Sequence, residues 1–307
     1  MIDVRKLRML AALDRLGTLA AVAEELRLTA PGISMQLSAL ERELGVALTE
    51  RQGRRLVLTP AGKLLAAHGR VLVDRLSLAE LEVTALRLGE VGSYRVAAFP
   101  SAARTFVADA WRRLLAEGAG VSLTLTTPEP EDALAALTTG ETDLAVVHSY
   151  SNVPRDIPDG VALHAIVTEP VWLAMRADDP LGAPAVDLAE LANRPWITPT
   201  PDLTCFEMTE RACGLAGFRP RIVAQSMDFQ VQLELVAAGV GVALVPDLTV
   251  AALPREVVLV RPAQALSRRI HAAQRSSTHG DPGVARLVEA FRVAATGRVR
   301  QDTSLPD

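Results

Sequence analysis

The stretch "TLAAVAEELRLTAPGISMQLSALERELG", residues 18 to 45, constrains this chain more than any other. Before it, Leu7, Leu10, Leu13 and Leu16 form an apolar stripe that stops at Gly17, a helix-ending signal. Thr18 is placed to cap "LAAVAEEL", whose alanines let helices approach closely around Val22 and Leu26. "RLT" then reads as a turn and Thr29 as the next N-cap. Pro31 falls in the first helical turn, where its missing N–H costs nothing, and Gly45 ends the helix. Ile33, Leu37, Leu40 and Leu44 share one face of that helix, which is expected to be core. Pro31, Ser34, Met35, Ser38 and Arg42 fall on the opposite face, so it is free for another task. Helix, tight turn, helix is the helix-turn-helix pattern.

"RQGRRLVLTPAG" follows directly, with a tight turn expected around Gly53 and an extended "LVL", which makes a basic hairpin beside the helices. Thr59 and Pro60 open a long helix as N-cap and first helical residue. Along it Leu65, Leu72, Ala79 and Leu86 recur every seven residues, interleaved with Leu76 and Val83, over about three heptads. Such a seam serves a coiled-coil dimer or packs on its own chain. No neighbouring segment supplies a complementary long helix, so a dimer is expected. "GEVGSY", residues 89 to 94, breaks the helix and marks a domain boundary. The expected organisation is a winged helix-turn-helix over 1–60, a linker and dimerisation helix over 61–91, and a third region over 92–307.

Beyond the boundary, strand-like and helix-like segments alternate: "YRVAAF", "ARTFVADAWRRLLAEG", "VSLTLTT", "PEDALAALTTG" and "TDLAVVH", then a second set from "PVWLAMR" to "VGVALVP". A late strand pair, "EVVLV" and "RRIHAAQR", leads to a last helix, "GVARLVEAFRVAA", and "TGRVRQDTSLPD" reads as a frayed tail. Alternation of this kind predicts parallel sheets with helices on both faces. Two lobes are expected, one over 92–165 and 267–300, the other over 166–266, with a ligand cleft between them.

Charge is distributed unevenly. The net −4 conceals a front of residues 1–70 with 11 Lys+Arg against 7 Asp+Glu, and a remainder with 21 against 29. An acidic chain therefore still carries a local footprint for nucleic acid. Charges interrupt the apolar positions of "MIDVRKLRMLAALDRLG", which excludes a signal-peptide core, and no membrane span is visible; the cytosol is the expected compartment. Cys205 and Cys213 have no Cys or His at ligand spacing, so neither a zinc site nor a disulfide framework is indicated.

Together these residues resemble the LysR-type transcriptional regulators. The likeness lies in the block from "AAVAEELRLTAPGISMQLSALERELG" through "TPAG", the long helix, "ETDLAVV", "DDPL" and "VAAGVGVALVP". The resemblance implies an α/β chain with a mostly α N-terminal winged helix-turn-helix, a linker helix, and a two-lobed effector domain like type 2 periplasmic binding proteins. It also implies a homodimer or homotetramer that binds double-stranded promoter DNA, responds to a small-molecule effector and, if an activator, contacts RNA polymerase. No cofactor, metal or membrane is implied. On this reading Thr29, Ala30, Pro31, Ser34, Met35, Gln36 and Ser38 face the major groove. Arg51, Arg54 and Arg55 in the wing contact phosphates or the minor groove, although each alone also reads as a solvated charge. The family often has Gln where this chain has Ala30 and Arg where it has Met35, so methyl contacts and DNA deformability are expected to carry more of the readout. Thr49 stands where the family usually has Phe, so the wing is expected to pack differently.

For the effector, polar groups at strand ends are the candidates: Pro100 and Ser101, Thr126 and Thr127, His148, Thr198 and Thr200, and Asp228 with Phe229. Ser101 reads equally as a helix N-cap or as an effector contact. Arg104 reads as a partner for a carboxylate or as a solvated charge. A small organic acid or amino acid is the expected effector. An enzyme finds little support. The only lysines, Lys6 and Lys63, lie at the front, no G-x-S-x-G or G-x-x-x-x-G-K-[ST] is present, and the five histidines are scattered. A ligand-independent regulator and an exported solute-binding protein are the other readings, the latter lacking a signal peptide.

Overall fold

The computed structural model describes residues 2–52, 55–88, 92–118, 120–181, 185–250 and 252–299. It divides into two compact units, one of residues 1–92 with 277–279, the other of the remainder. The contacts thus group the long helix with the N-terminal helices.

In the first unit, α1 (Val4–Leu16), α2 (Leu19–Leu26) and α3 (Ala30–Leu44) begin and end at the expected signals. Thr18 Oγ1 accepts from the Ala21 N–H and Thr29 Oγ1 from the Gly32 N–H, while Gly17 and Gly45 close their helices in the left-handed region. Arg27 ends α2 at φ 53°, a conformation that costs a side-chain-bearing residue energy. Leu10, Leu13, Val22, Ile33, Leu37 and Leu40 form the core. Leu44, expected on that face, is 38% exposed as the final residue of α3. β1 (Thr49–Gln52) and β2 (Arg55–Leu58) pair antiparallel as the wing. They lead into α4 (Pro60–Leu88), whose 29 residues span about 43 Å. Gly62 sits where a Cβ would come within 2.0 Å of the Leu48 carbonyl oxygen, so only glycine lets α4 leave the wing there.

The second unit is built on an eight-stranded sheet with order β4-β3-β5-β12-β6-β11-β7, β10 also pairing with β6. Its first strands and helices are β3 (Gly92–Ala98), α5 (Pro100–Ala102), a π-helical turn (Ala103–Val107), α6 (Ala108–Ala116), β4 (Val121–Thr126), α7 (Pro130–Thr139) and β5 (Leu144–Tyr150). β6 (Val161–Arg176) follows, then β7 (Ala185–Val186), β8 (Pro195–Thr198), α8 (Thr204–Leu215), β9 (Arg221–Gln225), α9 (Phe229–Ala237) and β10 (Ala243–Pro246). β11 (Val257–Pro262), β12 (Ser267–Arg275) and α10 (Pro282–Thr296) complete it.

Parallel pairing, expected throughout, holds for β3 with β5 and β8 with β9, but β12 runs antiparallel to both β5 and β6. "EVVLV" and "RRIHAAQR" do not pair with each other; they flank β6 on opposite sides. β6 itself begins nine residues before the expected "PVWLAMR". Its first part lies beside β12 up to Pro170, and from Val171 it takes β10 as neighbour. One continuous strand therefore serves two lobes. Within the second alternating set, "DLAELANR" forms only a 3-10 turn over Leu188–Leu191.

Period-two alternation splits each central strand between cores. On β5, Leu144 and Val146 join the cluster under α6 and α10, while Ala145 and Val147 join the one under α7. Farther along β6, Leu173 and Met175 pack with Trp196 and Met208, and Ala174 packs with Leu233 and Val245. The tail from residue 300 lies outside the described residues.

Candidate functional site

Capping geometry and a buried apolar stripe set the orientation of α3. With Ile33, Leu37 and Leu40 at 0–2% exposure, the helix turns Pro31, Met35, Gln36 and Ser38 outward; Met35 is 69% exposed. Ser34 is half-buried. Ala30, expected on the reading face, is half-buried and packs against the unit's core. Thr29 is exposed, its hydroxyl engaged as a cap. Arg42 folds back, Nε donating to the Ser38 carbonyl at 3.3 Å.

The wing is anchored by a residue the sequence reading missed. Glu41 Oε1 accepts from the Leu48 N–H at 2.9 Å, the Thr49 N–H at 2.8 Å and the Thr49 hydroxyl at 2.9 Å. Thr49, where an aromatic was expected by resemblance, thus ties the first wing strand to α3 by hydrogen bonds instead of apolar packing. Arg51 is exposed on β1. Arg54 and the turn at Gly53 lie outside the described residues, as does the side chain of Arg55.

On α4 the expected seam is presented unevenly. Leu72, Leu76 and Val83 are 48%, 46% and 66% exposed, and Ala79 is exposed beside them. Leu65 instead packs on the unit's own core, because the first turns of α4 lie against α1, where Gly69 meets Leu7. The side chain of Leu86 lies outside the described residues. Leu64 and Val71, seven apart and exposed, widen the apolar surface; their spacing was visible in the sequence.

In the second unit the polar centre is Arg268, buried to 1%. β12 places it opposite Tyr150 of β5 and Glu169 of β6. Its Nε donates to Glu169 Oε1 at 2.6 Å and its Nη2 to Ser101 Oγ at 3.1 Å, while the guanidinium lies 5.0 Å from the Phe99 ring centroid. The other Glu169 oxygen accepts the Leu248 N–H. Burial opposes the charge of Arg268, but the Glu169 carboxylate holds the guanidinium protonated. Phe99 packs edge-on to His148 at 4.7 Å, and His148 to Tyr150 at 5.3 Å. The Tyr150 hydroxyl is 2.7 Å from Cys205 Sγ. Burial pushes the Cys205 thiol up to about 11 and Cys213 up to about 12, so neither is a ready thiolate at neutral pH.

Ser101 is not an N-cap. Phe99 takes that position, and the Ser101 hydroxyl turns to Arg268 at the start of a three-residue helix that widens into the π-helical turn. His148, burial first and the Arg268 and Arg155 charges next, is held well below 6.5 and is neutral at pH 7. Arg155, unforeseen, donates to the His148 carbonyl at 2.9 Å and to Thr204 Oγ1 at 2.8 Å, joining the segment after β5 to α8. Glu129, half-buried within the fields of Arg268 and Arg155, has its carboxyl raised by burial against their pull.

The remaining candidates divide. Thr198 is 1% exposed with Oγ1 lacking a hydrogen-bond partner, and Thr200 Oγ1 and His148 Nδ1 are buried without one as well. Gln232 Oε1 shares that condition, its Nε2 donating to the Ser226 carbonyl; the Ser226 N–H in turn donates to the Thr198 carbonyl. Thr126, Thr127 and Pro100 are exposed. Asp228 caps α9 by accepting from the Gln230 N–H, and Phe229 packs between two apolar clusters, so these two serve structure first. Arg104 is exposed and donates to the Thr249 carbonyl at 2.9 Å, not to a carboxylate. None of the three described cavities is lined by the expected effector residues. What was missed is the ion pair. A charged residue inside each of "SRRIHAAQ" and "IVTEPVW" is a visible oddity, but that the two meet depends on strand order.

Known proteins with this organisation are numerous. Residues 4–63 match the model of the bacterial regulatory helix-turn-helix protein, lysR family, and residues 87–295 match the LysR substrate binding domain. The small neutral protease regulatory protein of Streptomyces coelicolor is 30% identical over 96% of this chain and 83% of its own length. A full-length OxyR variant from Pseudomonas aeruginosa superposes with a TM-score of 0.65 at 19% identity, covering 99% of each chain. Full-length CbnR complexed with its target DNA superposes at 0.54 with 25% identity, covering 95% of this chain and 100% of that one. The chain belongs to the LysR family and is a DNA-binding transcriptional regulator with a ligand-responsive effector domain.

Proposed function

We propose that this regulator is a homodimer or homotetramer, working in the bacterial cytoplasm and without catalytic activity of its own. Pro31, Ser34, Met35, Gln36 and Ser38 read the major groove, and Arg51, Arg54 and Arg55 of the wing bind phosphates. The long helix α4, through Leu72, Leu76, Ala79 and Val83, joins two copies. If it activates transcription, it contacts RNA polymerase. The effector is a small organic acid or amino acid bound around Ser101, Arg268, His148, Thr198 and Thr200. One observation carries that reading: His148, Thr198 and Thr200, singled out as strand-end groups, hold buried polar atoms without partners. Such atoms are costly unless something supplies the missing bond. Arg268, paired with Glu169 and bonded to Ser101, places charged donors near His148. The effector acts by binding two arrangements of the regulator unequally.

The test has two parts. In salt-controlled anisotropy on the upstream intergenic region and on scrambled DNA, R51A is expected to weaken both about equally and to reduce the salt slope by about 1. M35A is expected to change the ranking of operator variants. A panel of small carboxylates is then screened by thermal shift against the wild type, S101A and T198V. A stabilising acid whose effect falls in both variants supports the site. An acid that stabilises all three equally, or none that stabilises the wild type, overturns it.

A further inference from the structure

Gln232 is a buried polar side chain that the cluster around Arg268 does not use. β8 and β9 run parallel with Thr198 opposite Gln225, so their C-terminal ends lie at one edge, the edge at which ligands of open α/β sheets are held. α9 begins there, capped by Asp228, and Gln232 occupies its first turn at 0% exposure. Its Nε2 donates to the Ser226 carbonyl at 2.8 Å, and the Ser226 N–H donates to the Thr198 carbonyl at 3.0 Å, so a chain of hydrogen bonds ties the amide to the end of β8. Gln232 Oε1 has no partner, in common with Thr198 Oγ1 and Thr200 Oγ1. Exchanging the amide's oxygen and nitrogen would set two carbonyl oxygens against each other, so the bond to Ser226 leaves an acceptor, not a donor, unfilled. Thr200 is half-buried, which brings the group to the surface.

We propose that Gln232 is a specificity-determining residue of the effector site: its Oε1 accepts a hydrogen bond from a hydroxyl or ammonium group close to the ligand's carboxylate, which selects hydroxy or amino acids over plain carboxylic acids of the same skeleton. This rests on the effector site proposed above and narrows its ligand class. The reasoning is one of complementarity. The threonine hydroxyls can donate and so serve a carboxylate, whereas a carboxamide oxygen only accepts and repels one. A ligand with a donor fills that acceptor. Its plain-acid analogue leaves the acceptor buried and unpaired, a cost that apolar contact does not offset.

Matched trios are the probes: succinate, malate and aspartate; phenylpropionate, phenyllactate and phenylalanine; isocaproate, hydroxyisocaproate and leucine. Binding is followed by calorimetry on the full-length protein. In at least one trio a donor-bearing acid is expected to bind the wild type at least about tenfold more tightly than its plain acid, and the tighter of its two donor-bearing forms tells a hydroxyl from an ammonium. Q232M, close in size and without an acceptor, is expected to abolish that preference by weakening the donor-bearing acid alone. T198V is expected to weaken both. Equal binding of plain and donor-bearing acids by the wild type overturns the proposal. So does a preference that Q232M leaves unchanged, since a uniform loss in that variant would make Gln232 a brace for Ser226 only. In either case, binding that T198V weakens leaves the effector site itself standing. If no probe binds, or T198V changes nothing, the site is misplaced and the proposal falls with it. Melting curves show whether Q232M folds, and the wild-type preference tests the proposal without that variant.

Discussion

His148 illustrates how burial decides the behaviour of one side chain. Its ring is 2% exposed, carries an unpartnered Nδ1, and sits in the fields of Arg268 and Arg155, so the folded state keeps it neutral. The unfolded chain takes up a proton there below about 6.5, whereas the folded chain does not. Below that pH the unfolded state therefore binds more protons, and stability falls as pH falls, by at most about 1.4 kcal/mol per unit. Above about pH 7 this contribution is flat. Between pH 7.5 and 5.5, H148Q is expected to lose less stability than the wild type; parallel melting-temperature profiles would show that His148 titrates alike in both states. His271, also lowered, is common to both proteins and cancels in the comparison. At this scale the sequence showed which residues stand near strand ends: Thr198 closes β8, whereas His148, expected after its strand, lies inside β5, which continues to Tyr150. It did not show Arg268, because either arginine of the Arg268–Arg269 pair reads as an outward charge until a partner on another strand is known.

Among elements, the wing shows a substitution absorbed by local rearrangement. Threonine at position 49 cannot fill an apolar slot, yet its hydroxyl and two backbone N–H groups converge on one Glu41 oxygen. Removing that carboxylate strands donors that fold it against α3. E41A is expected to cost roughly 1–3 kcal/mol in urea melts, and to weaken DNA binding because Arg51 loses its fixed position. T49V, which removes only the hydroxyl bond, is expected to cost about 1 kcal/mol. Equal stability of E41A and the wild type would show that the wing is held by packing alone. The helices α1 to α3 were legible almost to the residue because caps, glycines and periodicity act within a few positions of each other. β6 was not: its 16 residues carry Pro170 in the middle, and only the exchange of β12 for β10 beside it lets one strand continue past that proline.

For the whole molecule, the exposed leucines of α4 predict assembly. Leu72 and Leu76 are about half exposed and not among the residues of the unit's apolar core, so replacing both with lysine is expected to leave the fold intact, which a melting curve checks. Light scattering is expected to show the wild type as a dimer or tetramer, and L72K/L76K as a smaller species with weakened operator binding. An unchanged mass would assign assembly to another surface. The heptad that prompts this prediction, the helix-turn-helix, the alternation of strands and helices, and the absence of a helix among the described residues able to cross a membrane all follow from short-range pattern. Local sequence determined those features because caps, turn residues and hydrophobic periods exert their effect over one or two turns. Tertiary structure alone decided the mixed direction of the sheet, the single strand shared by two lobes and the Arg268–Glu169 pair. Each of these depends on which distant strands become neighbours, and pairing across 99 residues, as between Glu169 and Arg268, leaves no local trace in the chain.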